Sequence, residues 1–135
     1  MPAPGFNHVQ VYTISTNTWT WSGAAGSPLQ PLPTARGGMG TGVYLNGSIY
    51  VIGGETSARP PTNGVFTNVE IYNIASNTWS TGTPLPQGRH GSYPVTDGAS
   101  IFMAGGGTQS GYSASNNMMR LFVRLISEGV SSQCL

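Results

Sequence analysis

The sequence predicts an all-β fold built from repeated four-stranded sheets, and three observations carry that prediction. Ser48 to Gly54 (Ser-Ile-Tyr-Val-Ile-Gly-Gly) returns as Ser100 to Gly106 (Ser-Ile-Phe-Met-Ala-Gly-Gly), an offset of 52 (100 − 48). A period of that size marks one folded unit laid down repeatedly. A second pattern recurs with a longer offset: Tyr72 − Tyr12 and Trp79 − Trp19 both equal 60. The composition is the third observation. With 20 glycines, 10 prolines and only 7% charged residues, the chain has the make-up of short strands joined by tight turns. No run of helical periodicity exceeds about two turns.

In chain order, residues 1 to 6 form a lead-in. Val9-Gln10-Val11-Tyr12 alternates apolar and polar as a half-buried strand does. Thr16-Asn17 marks a turn, and Thr18-Trp19-Thr20-Trp21 is a second alternating strand with both tryptophans on one face. Residues 22 to 35, rich in Gly, Ser and Pro, read as a connection. Arg36 then opens a glycine-rich strand over residues 37 to 45, suited to packing near a crowded axis. Asn46-Gly47 is a strong two-residue hairpin signal. The next strand reaches Gly53-Gly54, where a glycine pair lets the chain turn and pass close to a neighbouring backbone. Residues 55 to 67 are the longest loop. Asn68 to Tyr72, a turn at Ser76-Asn77, and Thr78 to Thr81 copy the opening hairpin. Pro84 to Arg89 copies Pro31 to Arg36 at an offset of 53, and Asp97-Gly98 copies Asn46-Gly47. Met118 to Val123 stands where a further Val-x-Ile-Tyr strand belongs. Residues 124 to 135 contain neither Asn-Thr-Trp nor Pro-Leu-Pro and read as a tail outside the repeat.

Several function classes drop out on composition. All five basic residues are arginines, at 36, 59, 89, 120 and 124, so lysine-based covalent catalysis is excluded. Arginines spread this widely form neither a nucleic-acid stripe nor a basic membrane patch. No apolar stretch approaches the roughly 18 to 20 residues that span a bilayer. Met1 to Gly5 has neither a basic nor an apolar region, so no signal peptide is expected there. The single cysteine, Cys134, provides no internal disulfide. A chain rich in Thr, Ser and Asn and poor in charge leans toward a secreted or cell-surface protein.

One unit thus runs Arg-x-Gly, apolar strand, Asn-Gly or Asp-Gly, Ile-Tyr-Val-Ile-Gly-Gly, loop, Val-Glu-Ile-Tyr, Asn-Thr-Trp. This resembles the kelch repeat, a four-stranded blade of a β-propeller, over roughly residues 7 to 123. Gly53, Gly54, Tyr72 and Trp79 carry the motif, with counterparts at Gly105, Gly106, Tyr12 and Trp19. The resemblance implies that the strand after each arginine is innermost, that the tryptophan strand lies near the rim, and that Tyr72 and Trp79 pack between adjacent blades. It implies outer strands of one blade at 7–21, a complete blade at 36–81 and inner strands of another at 89–123. Such rings close with about 4 to 8 blades. Closure would need a longer parent chain, or a truncated product whose residues 124 to 135 are foreign to the repeat, or other copies of the chain supplying the missing blades.

The resemblance also sets the functional expectations. Kelch-like binding propellers use arginines at the positions of Arg36 and Arg89 to meet acidic peptides. A guanidinium presents a planar donor fork that suits carboxylates; the competing reading is that each arginine ties down its own turn through backbone carbonyls. The loop from Glu55, with Arg59, two prolines and Phe66, is a second candidate surface. The leading expectation is a non-catalytic scaffold for a protein, peptide or glycan partner, with no cofactor and no metal. Two alternatives are a portion of a secreted galactose-oxidase-like or other carbohydrate-active enzyme with its catalytic residues elsewhere, and a structural module of an extracellular assembly. A copper site of the oxidase kind needs a Tyr-His pair, and neither His8 nor His90 belongs to one. Gly37 to Gly42 lacks the Lys-Ser/Thr ending of a phosphate loop. Asn46-Gly47-Ser48 matches the N-glycosylation pattern at an exposed turn.

Overall fold

The structure, a computed structural model, describes residues 5–57, 63–126 and 129–134, with side chains as far as residue 123. These residues form ten strands: β1 (Gln10–Thr13), β2 (Thr18–Trp21), β3 (Val43–Leu45), β4 (Ser48–Ile52), β5 (Val69–Asn73), β6 (Thr78–Thr81), β7 (Val95–Thr96), β8 (Ser100–Ala104), β9 (Met118–Ile126) and β10 (Gly129–Cys134). They make three antiparallel sheets: a β1-β2 hairpin, a four-stranded β3-β4-β5-β6 meander and a four-stranded β10-β9-β8-β7 meander. The hairpin turns follow from residue chemistry. Asn46 and Gly47 adopt φ of 51° and 76°, the left-handed pair that a two-residue turn between twisted strands requires. Asn17 and Asn77 take the equivalent role at the β1-β2 and β5-β6 turns, with φ of 53° and 54°. At the β7-β8 turn the Asp97 carboxylate accepts the amides of Ala99 and Ser100 (2.9 and 2.7 Å), and these bonds hold its pKa below the usual carboxylate value.

The core lies between the two meanders. Tyr50 and Ile52 on β4, with their partners Ile71 and Val69 on β5, share one face. Ile101 and Met103 on β8, with Leu121 and Met119 on β9, share the face that meets it. Together with Val43, Leu45, Leu85 and Val123 these side chains form one buried cluster. Each such side chain contributes roughly 1.5–3 kcal/mol when withdrawn from water, and neither sheet could bury its apolar face alone. Tyr50 is fully buried, and its hydroxyl has no hydrogen-bond partner. Its repeat counterpart is Phe102. Replacing Tyr50 with Phe is therefore expected to raise stability by about 1 kcal/mol, since it removes an unsatisfied buried hydroxyl without altering the ring. A shift of the denaturation midpoint is the measurement, and a loss of stability would mean that the hydroxyl has a partner.

One sequence expectation is corrected. The first strand of the β3–β6 meander is shorter than read: residues 38 to 42 are irregular and β3 begins at Val43. Gly40 is needed there because a Cβ would collide with the Ser92 carbonyl oxygen, in the segment that leads into β7. Of the residues beyond 123, those described lie in two strands: β9 runs on to Ile126, and the backbone of β10 pairs with β9 at the edge of its sheet. Backbone pairing needs no Asn-Thr-Trp signature, so the missing motif did not prevent the strand.

Candidate functional site

In a meander every second connection emerges at the same end. The two-residue turn at Asn46-Gly47 and the Asp97-Gly98 turn lie at one end; the long β4-β5 and β8-β9 connections lie at the other, with the segments leading into β3 and β7. That second end carries most of the residues singled out from the sequence. Each sheet is closed there by the same backbone bridge: Gly37 exchanges bonds with Glu55 (3.0 and 2.7 Å), and His90 with Gly107 (3.0 and 2.9 Å). The glycine pair joins the two sheets. Gly53 and Gly54 have φ of 66° and 113°, and the Gly54 amide donates to the Arg89 carbonyl at 2.7 Å.

Arg36 and Arg89 are both 1% exposed. Arg36 is fully engaged. Its Nε donates to the Gly53 carbonyl (2.6 Å), its Nη1 to the Thr34 carbonyl (2.8 Å), and its Nη2 to the Val51 carbonyl (3.3 Å). Nη1 also forms an ion pair with Glu70, which the β4-β5 register places beside Val51. Thr34 Oγ1 donates to the other Glu70 oxygen (2.6 Å), and the Asn68 side-chain amide donates to Thr34 Oγ1 (3.1 Å). Of the two sequence readings of Arg36, this geometry is the pinned turn. Arg89 differs. Its Nη2 donates to Gln87 Oε1 at 3.3 Å, while Nε and Nη1 are buried without an acceptor. Burial alone lowers its pKa from the ordinary arginine value. A cavity of about 420 Å³ opens beside it, lined by Pro86, Gln87, Arg89, Asn117, Met118 and Met119.

The long loops meet between the sheets. Glu55 Oε2 accepts the Gly111 amide at 2.8 Å, and the Asn63 carbonyl accepts the Ser110 amide at 2.8 Å. Glu55 Oε1 lies 3.6 Å from His90 Nδ1, and the opposite nitrogen, Nε2, is 3.0 Å from the Gln109 carbonyl. A cavity of about 360 Å³ is lined by Phe6, Gly37, Gly38, Glu55, Ser110 and Gly111. Phe6 and Tyr112 stand out from this end, both strongly exposed. Arg59 lies outside the described residues. His8 packs its ring edge against Trp21, with centroids 4.9 Å apart. Among the described residues no group of three metal-binding side chains converges.

Tyr72 is buried and packs its ring on Trp79 (5.1 Å), whose indole N–H donates to the Gln30 carbonyl (3.1 Å) in the connection after β2. Tyr12 and Trp19 keep the same ring contact (5.1 Å), yet Trp19 is 70% exposed, because no described segment lies over that pair as residues 28 to 30 lie over Tyr72 and Trp79. Asn46 is exposed, whereas Ser48 of the same acceptor triplet is buried on β4. Sequence reasoning missed the role of Glu70 as the partner of Arg36. The signal for Glu70 was present: a carboxylate inside an apolar strand, in a chain with four acidic residues.

The family model described as the kelch motif matches residues 36–86. The chain is 33% identical over 101 residues to the Kelch-like protein terF of Aspergillus terreus, covering 75% of this chain and 21% of that protein. It is 36% identical over 84 residues to a Kelch domain-containing protein of Sulfurisphaera tokodaii, covering 62% and 10%. It is 32% identical over 100 residues to Beta-scruin of Limulus polyphemus, covering 74% and 10%. It therefore spans about a fifth or less of the length of these relatives. The solved structure of YjhT is similar in fold, with a TM-score of 0.59 at 18% identity, covering 86% of this chain and 34% of that one.

Proposed function

Because this chain is a kelch-repeat segment of a β-propeller, we propose that it serves as a non-catalytic recognition scaffold for a protein or peptide partner. One observation carries the reading: both long connections emerge at the same end, touch through Glu55–Gly111 and Asn63–Ser110, and flank an open cavity between the sheets. Loops of variable length on a rigid sheet frame are the usual carriers of recognition. Aromatic residues such as the exposed Phe6 and Tyr112 suit the centre of a protein interface, where desolvated rings contribute most.

Phe6 and Tyr112 offer a direct test, because neither supports the fold. Affinity capture with the protein at its natural length is expected to retrieve a partner, and the Phe6→Ser/Tyr112→Ser double variant is expected to lose it while its melting curve is unchanged. Equal capture by the two proteins would overturn this placement of the binding surface. Turnover of a substrate with catalytic residues in this chain would overturn the scaffold reading itself.

A further inference from the structure

Glu55 is an acidic side chain that the fold positions without giving it an arginine. The acids among the described residues are Glu55, Glu70 and Asp97. Glu70 is paired with Arg36, and Asp97 caps its own turn at the opposite end of the sheets. No arginine among the described residues pairs with Glu55. The bridge to Gly37 fixes the Glu55 backbone at the start of the long β4-β5 connection. Its side chain then lies across Gly38, where a Cβ would come within 2.7 Å of the Glu55 Cγ. Gly38 has a φ of 61°, so the backbone there is also of the kind that glycine adopts without strain. The carboxylate is thereby held in the wall of the cavity of about 360 Å³ between the two long connections. Its Oε2 accepts the Gly111 amide at 2.8 Å, its Oε1 lies 3.6 Å from His90 Nδ1, and 28% of the side chain remains exposed. A carboxylate has about four acceptor positions, so these two neighbours leave capacity for a further donor.

We propose that this cavity receives a lysine side chain of the partner, with the ammonium on Glu55 and the methylenes along Phe6. Charge complementarity names the ligand. A carboxylate in the wall of an opening that also holds an exposed aromatic ring suits a cation, which the face of such a ring attracts as well. The glycines at 37, 38 and 111 bring no side chains into the opening, so an unbranched aliphatic stem has room to enter. The choice of lysine over arginine follows from how the carboxylate is already held. Oε2 is taken by Gly111 and Oε1 is flanked by His90, so the two oxygens do not stand free side by side for a guanidinium fork. An ammonium is a compact charge with three rotatable donors and needs only one open approach. Ser57 and Ser110 line the same cavity and supply hydroxyl oxygens for its remaining protons. The proposal rests on the scaffold reading and deepens it by naming the chemistry of one contact.

The test uses the protein at its natural length and a capped peptide with one lysine flanked by glycines, with norleucine and arginine analogues as controls. Calorimetric titration is expected to show saturable binding of the lysine peptide and at least about tenfold weaker binding of the other two. Norleucine keeps the methylenes and removes the charge, so this comparison decides the matter without any variant. Glu55→Gln keeps an oxygen acceptor for the Gly111 amide and is expected to melt as the unaltered protein does, while binding the lysine peptide at least about tenfold more weakly. Undiminished binding to folded Glu55→Gln, equal or tighter binding of either analogue, or no saturable binding would overturn the site. The scaffold reading would survive any of those results if the Phe6→Ser/Tyr112→Ser variant still lost its partner.

Discussion

Glu70→Met will lower the stability of the protein by about 3–5 kcal/mol, the range expected when one partner of a buried ion pair is removed and the other charge stays behind. Arg36 is 1% exposed, and Glu70 is buried beside it. The variant leaves the guanidinium its carbonyl acceptors at Gly53, Thr34 and Val51, but no counter-charge. It also strips Thr34 Oγ1 of its acceptor. The double variant Arg36→Met/Glu70→Met is expected to lose less than the sum of the single changes, because the uncompensated charge goes with the arginine. Denaturant midpoints for the four proteins close the cycle. Additive losses would mean that the pair does not act as a unit.

Gly53→Ala is the second large effect, expected at about 3 kcal/mol or more, because backbone strain and a collision with main chain act together. Gly53 sits at φ 66°, and a Cβ there would run into the carbonyl oxygen of Arg89, the atom that also accepts the Gly54 amide. The Arg89 backbone belongs to the segment that leads into β7 of the neighbouring sheet, so relief would push that segment away from the first meander. Gly47 provides the internal control. Its φ is 76°, but a Cβ there would meet no heavy atom within 4 Å, so Gly47→Ala should cost only the left-handed penalty of about 1–2 kcal/mol. Similar losses at the two glycines would contradict the inter-sheet role of Gly53.

Most of this architecture was legible in the sequence for a simple reason. The recurring apolar strand and glycine pair, the Asn-Gly and Asp-Gly turns and the Tyr–Trp spacing are local signals, and each maps to the expected strand or turn. What escaped were consequences of register. Arg36 and Glu70 are separated by 34 residues, and only the β4-β5 pairing brings them together. The sequence left each arginine between a surface fork and a pinned turn, because sequence position does not tell whether a side chain at a blade opening turns inward. β10 is held by backbone pairing with β9 and carries no repeat signature that a sequence reading could find. Arg89 shared every local feature of Arg36. The difference between them lies in the strands: Met119 faces Met103 where Glu70 faces Val51, the repeat counterpart of Met103, and this was readable only once the repeats were aligned strand against strand.

A crystal structure of the protein at its natural length is the most direct test of the stacked-blade account. Arg36 is expected to be enclosed by Glu70 and the carbonyls of Gly53, Thr34 and Val51, with Gly54 bonded to the Arg89 carbonyl between the two meanders. An Arg36 turned out to solvent, or two meanders that do not share the buried cluster, would contradict it.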